Sequence, residues 1–191
     1  MAQPNLLDVD WSKIPAPADD GAAAHLAGMA IPPITLVATN DTSVTLASLP
    51  GRTVVFGYPR TGEPGKIALV DDWDMIPGAR GCTPQTCSFR DLFAELKAAG
   101  ARQVFGLSTQ SNAYQTEMAS RLHLPFAVLS DARLALTRAL SLPTMEVAGL
   151  TMIKRLALIV DDARITQVFY PVFPPARNAA DVLAWLKQNP V

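Results

Sequence analysis

From Thr35 onward the chain alternates between two spacings of its apolar residues. Short β-branched and aromatic runs bounded by Asn, Asp, Gly or Pro predict strands. Apolar residues recurring every three or four positions predict helices. Thr35–Thr39 and Ser43–Leu46, joined through Asn40-Asp41, predict a hairpin. Arg52–Tyr58, centred on Val54, Val55 and Phe56, predicts a buried strand. A helix is expected over Pro84–Ala99, where Phe89, Leu92, Phe93 and Leu96 share one face and Gly100 supplies the stop. Gln103–Ser108 predicts the next strand, and Asn112–His123 a helix with Gln115 placed for a capping box. Strand Phe126–Leu129, a short helix around Arg133–Leu140, and strands Met152–Val160 and Ile165–Phe169 follow. Asn178 is placed to cap a last helix whose inner face is Ala179, Val182, Leu183 and Leu186. Strands alternating with helices, then a hairpin and a helix, define an α/β chain.

Residues 1–30 break the pattern: they are rich in Ala, Pro and Asp and predict an irregular arm, with Trp11 and Ile14 as its anchors. Residues 31–191 are expected to form one domain, interrupted by an inserted loop over 60–78. That loop carries Asp71-Asp72-Trp73-Asp74 beside the apolar Ile67–Val70, and predicts a surface loop, with a lid or an oligomer contact as the alternatives. A chain of 191 residues, 49% hydrophobic, is long enough to bury one sizeable core. Its net charge of −1 offers no basic footprint for nucleic acid. No run approaches the apolar length a membrane span needs, and no basic stretch leads into an apolar run at the start. The expectation is a soluble, cytoplasmic protein, a monomer or homodimer, with neither nucleic acid nor membrane as partner.

Chemistry concentrates in Gly81-Cys82-Thr83-Pro84-Gln85-Thr86-Cys87-Ser88-Phe89-Arg90-Asp91, which holds both cysteines of the chain. Two thiols in a reducing compartment point to catalysis, redox sensing or metal binding before structure. Thr83 reads as a helix N-cap and Pro84 as the first helical residue, which puts Cys82 at the mouth of the helix. A thiol there faces unpaired N–H groups and the positive end of the helix dipole, both of which favour the thiolate. In a continuous helix, residues five apart have Cα atoms roughly 8–9 Å apart, whereas a disulfide needs about 4.4–6.8 Å. If Cys82 and Cys87 both lie in helix when reduced, they join only after the first turn unwinds. Neither His25 nor His123 has metal-ligand spacing to the cysteines, so no metal or organic cofactor is expected. Arg155 lies in an otherwise apolar run, where a charge is costly unless paired; it is either a structural ion pair or a functional group. Lys154 should point to the opposite face.

The Gly-Cys-Thr-x-x-x-Cys-x-Phe-Arg-Asp string resembles the active site of the peroxiredoxin Q, or bacterioferritin-comigratory, group of thiol peroxidases. The likeness continues through Val104–Thr109, Leu124–Asp131, Lys154–Asp161 and Val182–Lys187, in the family's order and over roughly residues 30–191. It implies a thioredoxin-like fold, with a central mixed sheet flanked by helices and an N-terminal hairpin. It implies Cys82 as the residue that attacks peroxide, Cys87 as the resolving thiol, and Arg155 as the cation that stabilises thiolate and peroxide. Arg90 is then a partner of Asp91 or Glu95. The reductant it implies is thioredoxin or a glutaredoxin.

Two departures from the family pattern bear on the site. Ala79 and Met75 stand where the pattern has a threonine and a proline, and the inserted loop separates Tyr58-Pro59 from the active-site helix. Pro59, Thr61 and Thr83 are therefore the candidates for binding peroxide, with Thr61 beside Cys82 if the loop folds out and returns. Pro77-Gly-Ala79 is also similar to the type-five peroxiredoxins, an alignment that would make Cys87 the attacking residue. A thioredoxin-fold binding module without peroxidase activity, or a metallochaperone, are the alternatives from other classes.

Overall fold

A computed structural model describes residues 9–191. In chain order the elements are β1 (Thr35–Ala38), β2 (Ser43–Thr45), β3 (Arg52–Gly57), α1 (Cys82–Asp91), α2 (Phe93–Ala98), β4 (Gln103–Ser108) and α3 (Asn112–Arg121). Then come β5 (Val128–Ser130), α4 (Ala135–Ala139), β6 (Thr144–Val147), β7 (Leu150–Ile153), β8 (Leu156–Asp161), β9 (Arg164–Phe169) and α5 (Asn178–Gln188). Seven strands form one mixed sheet in the order β2-β1-β5-β4-β3-β8-β9. Within it β4 runs parallel to β3 and to β5, and the other neighbours are antiparallel.

The central strand β3 is buried on both faces, as its unbroken apolar run requires. Its alternation divides the core. Val55 points to one side with Leu36, Phe105, Leu107, Leu129 and Leu158. Val54, Phe56 and Tyr58 point to the other, where they meet Phe89 of α1, Leu96 of α2, Met118 of α3 and Val182 and Leu186 of α5. Phe56 and Phe89 stack with ring centroids 4.1 Å apart, which seats α1 on β3. Over its described residues the arm holds a short 3-10 turn at Trp11–Lys13, further turns before Met29 and an isolated bridge from Ala30 to Arg164, and it is docked. Ala23 and Leu26 are buried in the first core, Gly28 donates its N–H to Ile165, and Asp20 holds both Lys154 and Tyr170. The Lys154 ammonium and the Tyr170 hydroxyl hold the Asp20 carboxyl far below its ordinary range.

Several expected boundaries moved, each for a tertiary reason. The Pro84–Ala99 helix starts at Cys82 and is interrupted at Leu92, which divides it into α1 and α2. Its cap is Gly81, not Thr83. For α3 the cap is Ser111, whose Oγ accepts from the Tyr114 N–H. Gln115 is thus one position late for a capping box and turns inward, donating to the carbonyls of Gln110 and Leu129. Asn178 is the first residue of α5 but does not cap it: its side chain accepts a hydrogen bond from Gln85 at 2.8 Å. The expected strand Met152–Val160 breaks at Lys154-Arg155, so β7 pairs with β6 in a separate two-stranded sheet while β8 joins the main one. Strand β6 had no clear periodic signal. Among the described residues no helix is long and apolar enough to cross a membrane.

Candidate active site

Gly81 sets the entrance to α1. It adopts φ +104, in the left-handed region, and a Cβ there would lie 2.7 Å from the Trp11 ring and closer still to Pro175. Conformation and space both demand glycine. The turn makes Cys82 the first helical residue, two positions before the expected start. Cys82 is buried; its thiol lies 3.6 Å from the Ala79 carbonyl, and its own carbonyl accepts from the Thr86 hydroxyl. The first-turn N–H groups have no partner within the helix, and because Pro84 has none, those of Cys82 and Thr83 lead.

Arg155 occupies the bend between β7 and β8, from which its side chain reaches the start of α1. It is only 2% exposed. One terminal nitrogen donates to the carbonyls of Gly78, Ala79 and Arg80 at 3.2, 3.3 and 3.0 Å, and stands 3.3 Å from the Cys82 sulfur. The other donates to Gln85 Oε1, and Gln85 is held in turn by Asn178. None of the ion pairs among the described residues includes Arg155. A buried guanidinium surrounded only by neutral dipoles lacks a counter-charge, and the Cys82 sulfur is the one atom in its contacts that can become an anion. Lys154 points away and pairs with Asp20, as expected from its opposite face.

Cys87 is also a buried free thiol, further along α1. Burial pushes its pKa up; the Arg90 and Arg121 charges oppose that and Asp91 reinforces it. Arg90 pairs with Asp91 at 2.8 Å and donates to the Leu122 carbonyl, so it is a tie between helices. Tyr58, buried beneath the site, donates to Gln115 Oε1 at 3.1 Å. Burial holds its phenol well above the ordinary range, and negative charge on Cys82 adds to the effect. Tyr58, Gln85 and Asn178 were not among the site residues expected from sequence, Asn178 being read only as a helix cap. Gln85 did carry a signal: a polar residue one turn after Cys82, on the helix's inner side. Among the described residues no cluster of three or more His, Cys, Asp and Glu is placed to hold a metal. His25 is engaged with the Leu140 carbonyl.

The inserted loop folds out and returns, as the Thr61 expectation requires. Between it and the start of α1 lies a cavity of about 450 Å³, lined by Cys82, Thr83 and Thr61 among others. Pro59 does not line it; that residue is buried and its carbonyl accepts from Ser108. Thr83, freed of capping, belongs to the wall. Thr61 is fixed from three sides. Its N–H and hydroxyl both donate to Gln110 Oε1 at 3.0 and 3.3 Å, and its carbonyl accepts from Tyr114 at 3.0 Å. With its only proton spent on Gln110, the hydroxyl has only a lone pair left to offer a peroxide. Thr61→Val therefore removes one acceptor, a net loss of about 1 kcal/mol or about fivefold in kcat/KM. Stopped-flow kinetics with hydrogen peroxide checks this; a loss beyond about a hundredfold, or 2.7 kcal/mol, would make Thr61 a donor at the reacting oxygens.

A family model described as redoxin matches residues 26–183. The chloroplastic peroxiredoxin Q of Oryza sativa subsp. japonica is 30% identical over 162 residues, 84% of this chain and 66% of that protein. The chain thus spans about two thirds of the rice protein's length. Among solved structures, the peroxidoxin BcpB of Mycobacterium tuberculosis superposes with a TM-score of 0.69 at 24% identity, covering 86% of this chain and 98% of that one. A peroxiredoxin Q of Xanthomonas campestris gives 0.65 at 25% identity, covering 82% and 90%. These neighbours share the mixed sheet with helices on both faces that defines the thioredoxin-like arrangement. With the redoxin match running through both cores and both cysteines, the chain belongs to the redoxin family, and its relatives there are peroxiredoxins of the Q type.

Proposed function

We propose that this protein is a thiol-dependent peroxidase in which Cys82 attacks peroxide and Cys87 resolves the product. The observation that carries the reading is the buried Arg155 guanidinium, without an acidic partner among the described residues, 3.3 Å from the Cys82 sulfur. A fixed, buried cation stabilises a thiolate and the negative charge that develops on the departing oxygen. The Cys82 thiolate attacks one peroxide oxygen; the O–O bond breaks, the leaving oxygen takes up a proton as water or alcohol, and sulfur is left as a sulfenic acid. The first turn of α1 then unwinds. Cys87, as thiolate, attacks the Cys82 sulfur and expels hydroxide, which leaves as water, and an intramolecular disulfide closes. A thioredoxin or glutaredoxin dithiol restores both thiols by exchange and carries the two electrons in. The reading needs no metal or organic cofactor. Thr61, Thr83 and the Thr83 N–H supply the polar wall for the peroxide. We place the protein in a reducing compartment, the cytoplasm, as a monomer or homodimer.

The test is a coupled assay with thioredoxin, its reductase and NADPH. NADPH oxidation should require peroxide and protein together, one NADPH per peroxide. A glutaredoxin system run in parallel identifies the better dithiol. No peroxide-dependent oxidation with either system, from protein whose two thiols titrate as free, sinks the proposal.

A further inference from the structure

Arg155 meets Cys82 with one terminal nitrogen, and a chain of two buried amides holds the other. That second nitrogen donates to Gln85 Oε1, and Gln85 Nε2 donates to Asn178 Oδ1 at 2.8 Å. Arg155, Gln85 and Asn178 are all buried. The remaining guanidinium nitrogen, Nε, is buried without a partner. A guanidinium donates and cannot accept, so Gln85 turns its oxygen to Arg155. Its NH2 then faces α5, where Asn178 presents an oxygen in turn. Each link runs in one direction only.

Asn178 forgoes another role to do this. Asparagine is among the residue types that cap helices best, yet no side chain caps α5. Its oxygen is committed to a residue 93 positions away. A planar group held at two nitrogens keeps its plane; held at one, it pivots about that nitrogen. Gln85 supplies the second hold on Arg155, and Asn178 keeps the Gln85 amide from turning. Both amides are neutral, so they fix the cation without cancelling its charge. Among the described residues Arg155 is the one charged group within hydrogen-bond reach of the Cys82 sulfur. Tyr58, beneath the site, is a phenol that burial keeps protonated. Across the cavity Lys66 and Arg80 are paired with Glu63 and Asp74, and Arg60 lies over the Tyr114 ring.

We infer that Asn178 is a positioning residue for the reactive thiol: through Gln85 it holds the Arg155 guanidinium in the plane that meets Cys82. This rests on the peroxidase reading above.

The experiment reads two quantities on the reduced protein. One is the second-order rate constant with hydrogen peroxide; the other is the pH midpoint of Cys82 alkylation by iodoacetamide, taken in a Cys87→Ser background. Asn178→Leu keeps the volume and removes the acceptor. The peroxide rate should fall about tenfold and the alkylation midpoint rise by about one pH unit. Asn178→Asp keeps the acceptor and should lose less than about threefold. Gln85→Met should fall at least as far as Asn178→Leu, and the double variant no further than Gln85→Met alone, because the two act in series. If Asn178→Leu does not fold, Asn178→Ser decides in its place: serine starts helices well, but its oxygen stops one bond short of Gln85. A lower thermal midpoint with an unmoved alkylation midpoint makes Asn178 a structural residue and overturns the inference. So do effects that multiply in the double variant, or an equal fall in Asn178→Asp. A wild type that consumes no peroxide overturns the peroxidase reading; the alkylation midpoint, which needs no peroxide, then still decides the role of Asn178.

Discussion

Cys82→Ser removes peroxide consumption entirely, while Cys87→Ser stops it after one equivalent with a sulfenic acid trapped on Cys82. The asymmetry follows from the surroundings of the two thiols. Cys82 stands at the first-turn N–H groups with the Arg155 guanidinium 3.3 Å from its sulfur. Cys87 lies deeper in α1, where burial holds the thiol protonated and the nearest cations, Arg90 and Arg121, do not overcome that. Only the first environment suits attack on peroxide, since the thiolate is the nucleophile. Mass spectrometry after trapping with a sulfenic-acid reagent reads the outcome directly. A sulfenic acid on Cys87 in the Cys82→Ser protein would reverse the assignment, in favour of the type-five-like alignment.

Arg155→Met should slow the reaction with peroxide by about a hundred- to a thousandfold, the usual cost of removing a pre-positioned charge stabiliser. Lys154→Met, which removes an ion pair to Asp20 with its charge partly exposed, should change the rate less than threefold, about 0.65 kcal/mol. Methionine keeps much of the arginine stem's packing. It also abandons the Gly78, Ala79 and Arg80 carbonyls and Gln85, so some stability is lost with the rate. The comparison that isolates the chemistry is Arg155→Lys, which keeps charge but not the fork: circular dichroism should match the wild type while the rate recovers only in part. Equal and small effects at both positions would make Arg155 a structural residue.

The elements fixed by local pattern were legible. Strand β4 has the expected bounds, and the residues of the final helix's inner face are all buried. What failed were features set by contacts between distant residues. The start of α1 depends on Gly81 in a left-handed conformation, pressed by Trp11 and Pro175, and no local propensity reports that. Asn178 reads as a cap because its spacing fits one; its amide is taken by Gln85, 93 residues away. The break at Lys154-Arg155 had a visible sign, two charges inside an apolar run, but periodicity alone favours one continuous strand. The site divides the same way. Cys82, Cys87 and Arg155 carry a motif, whereas Tyr58, Gln85 and Asn178 are partners made by the fold. Thr61 reached the cavity only because the insertion returns, and its hydroxyl faces Gln110 for reasons absent from its neighbours in sequence.

The wedge at Gly81 gives the protein a kinetic setting separate from its chemistry. Cys82 and Cys87 cannot meet until the first turn of α1 opens, and that opening must push aside Trp11 and Pro175, the first of which is braced against Phe173. The oxidised sulfur therefore waits for a time set by packing from opposite ends of the chain, and during that wait a second peroxide can carry it to the sulfinic acid. The peroxide dose the enzyme survives, measured as inactivation per turnover, is then governed by side chains that take no part in the chemistry. Lightening the wedge at Trp11 or Phe173 should harden the enzyme against its own substrate, and it should do so at the expense of the reduced site's rigidity.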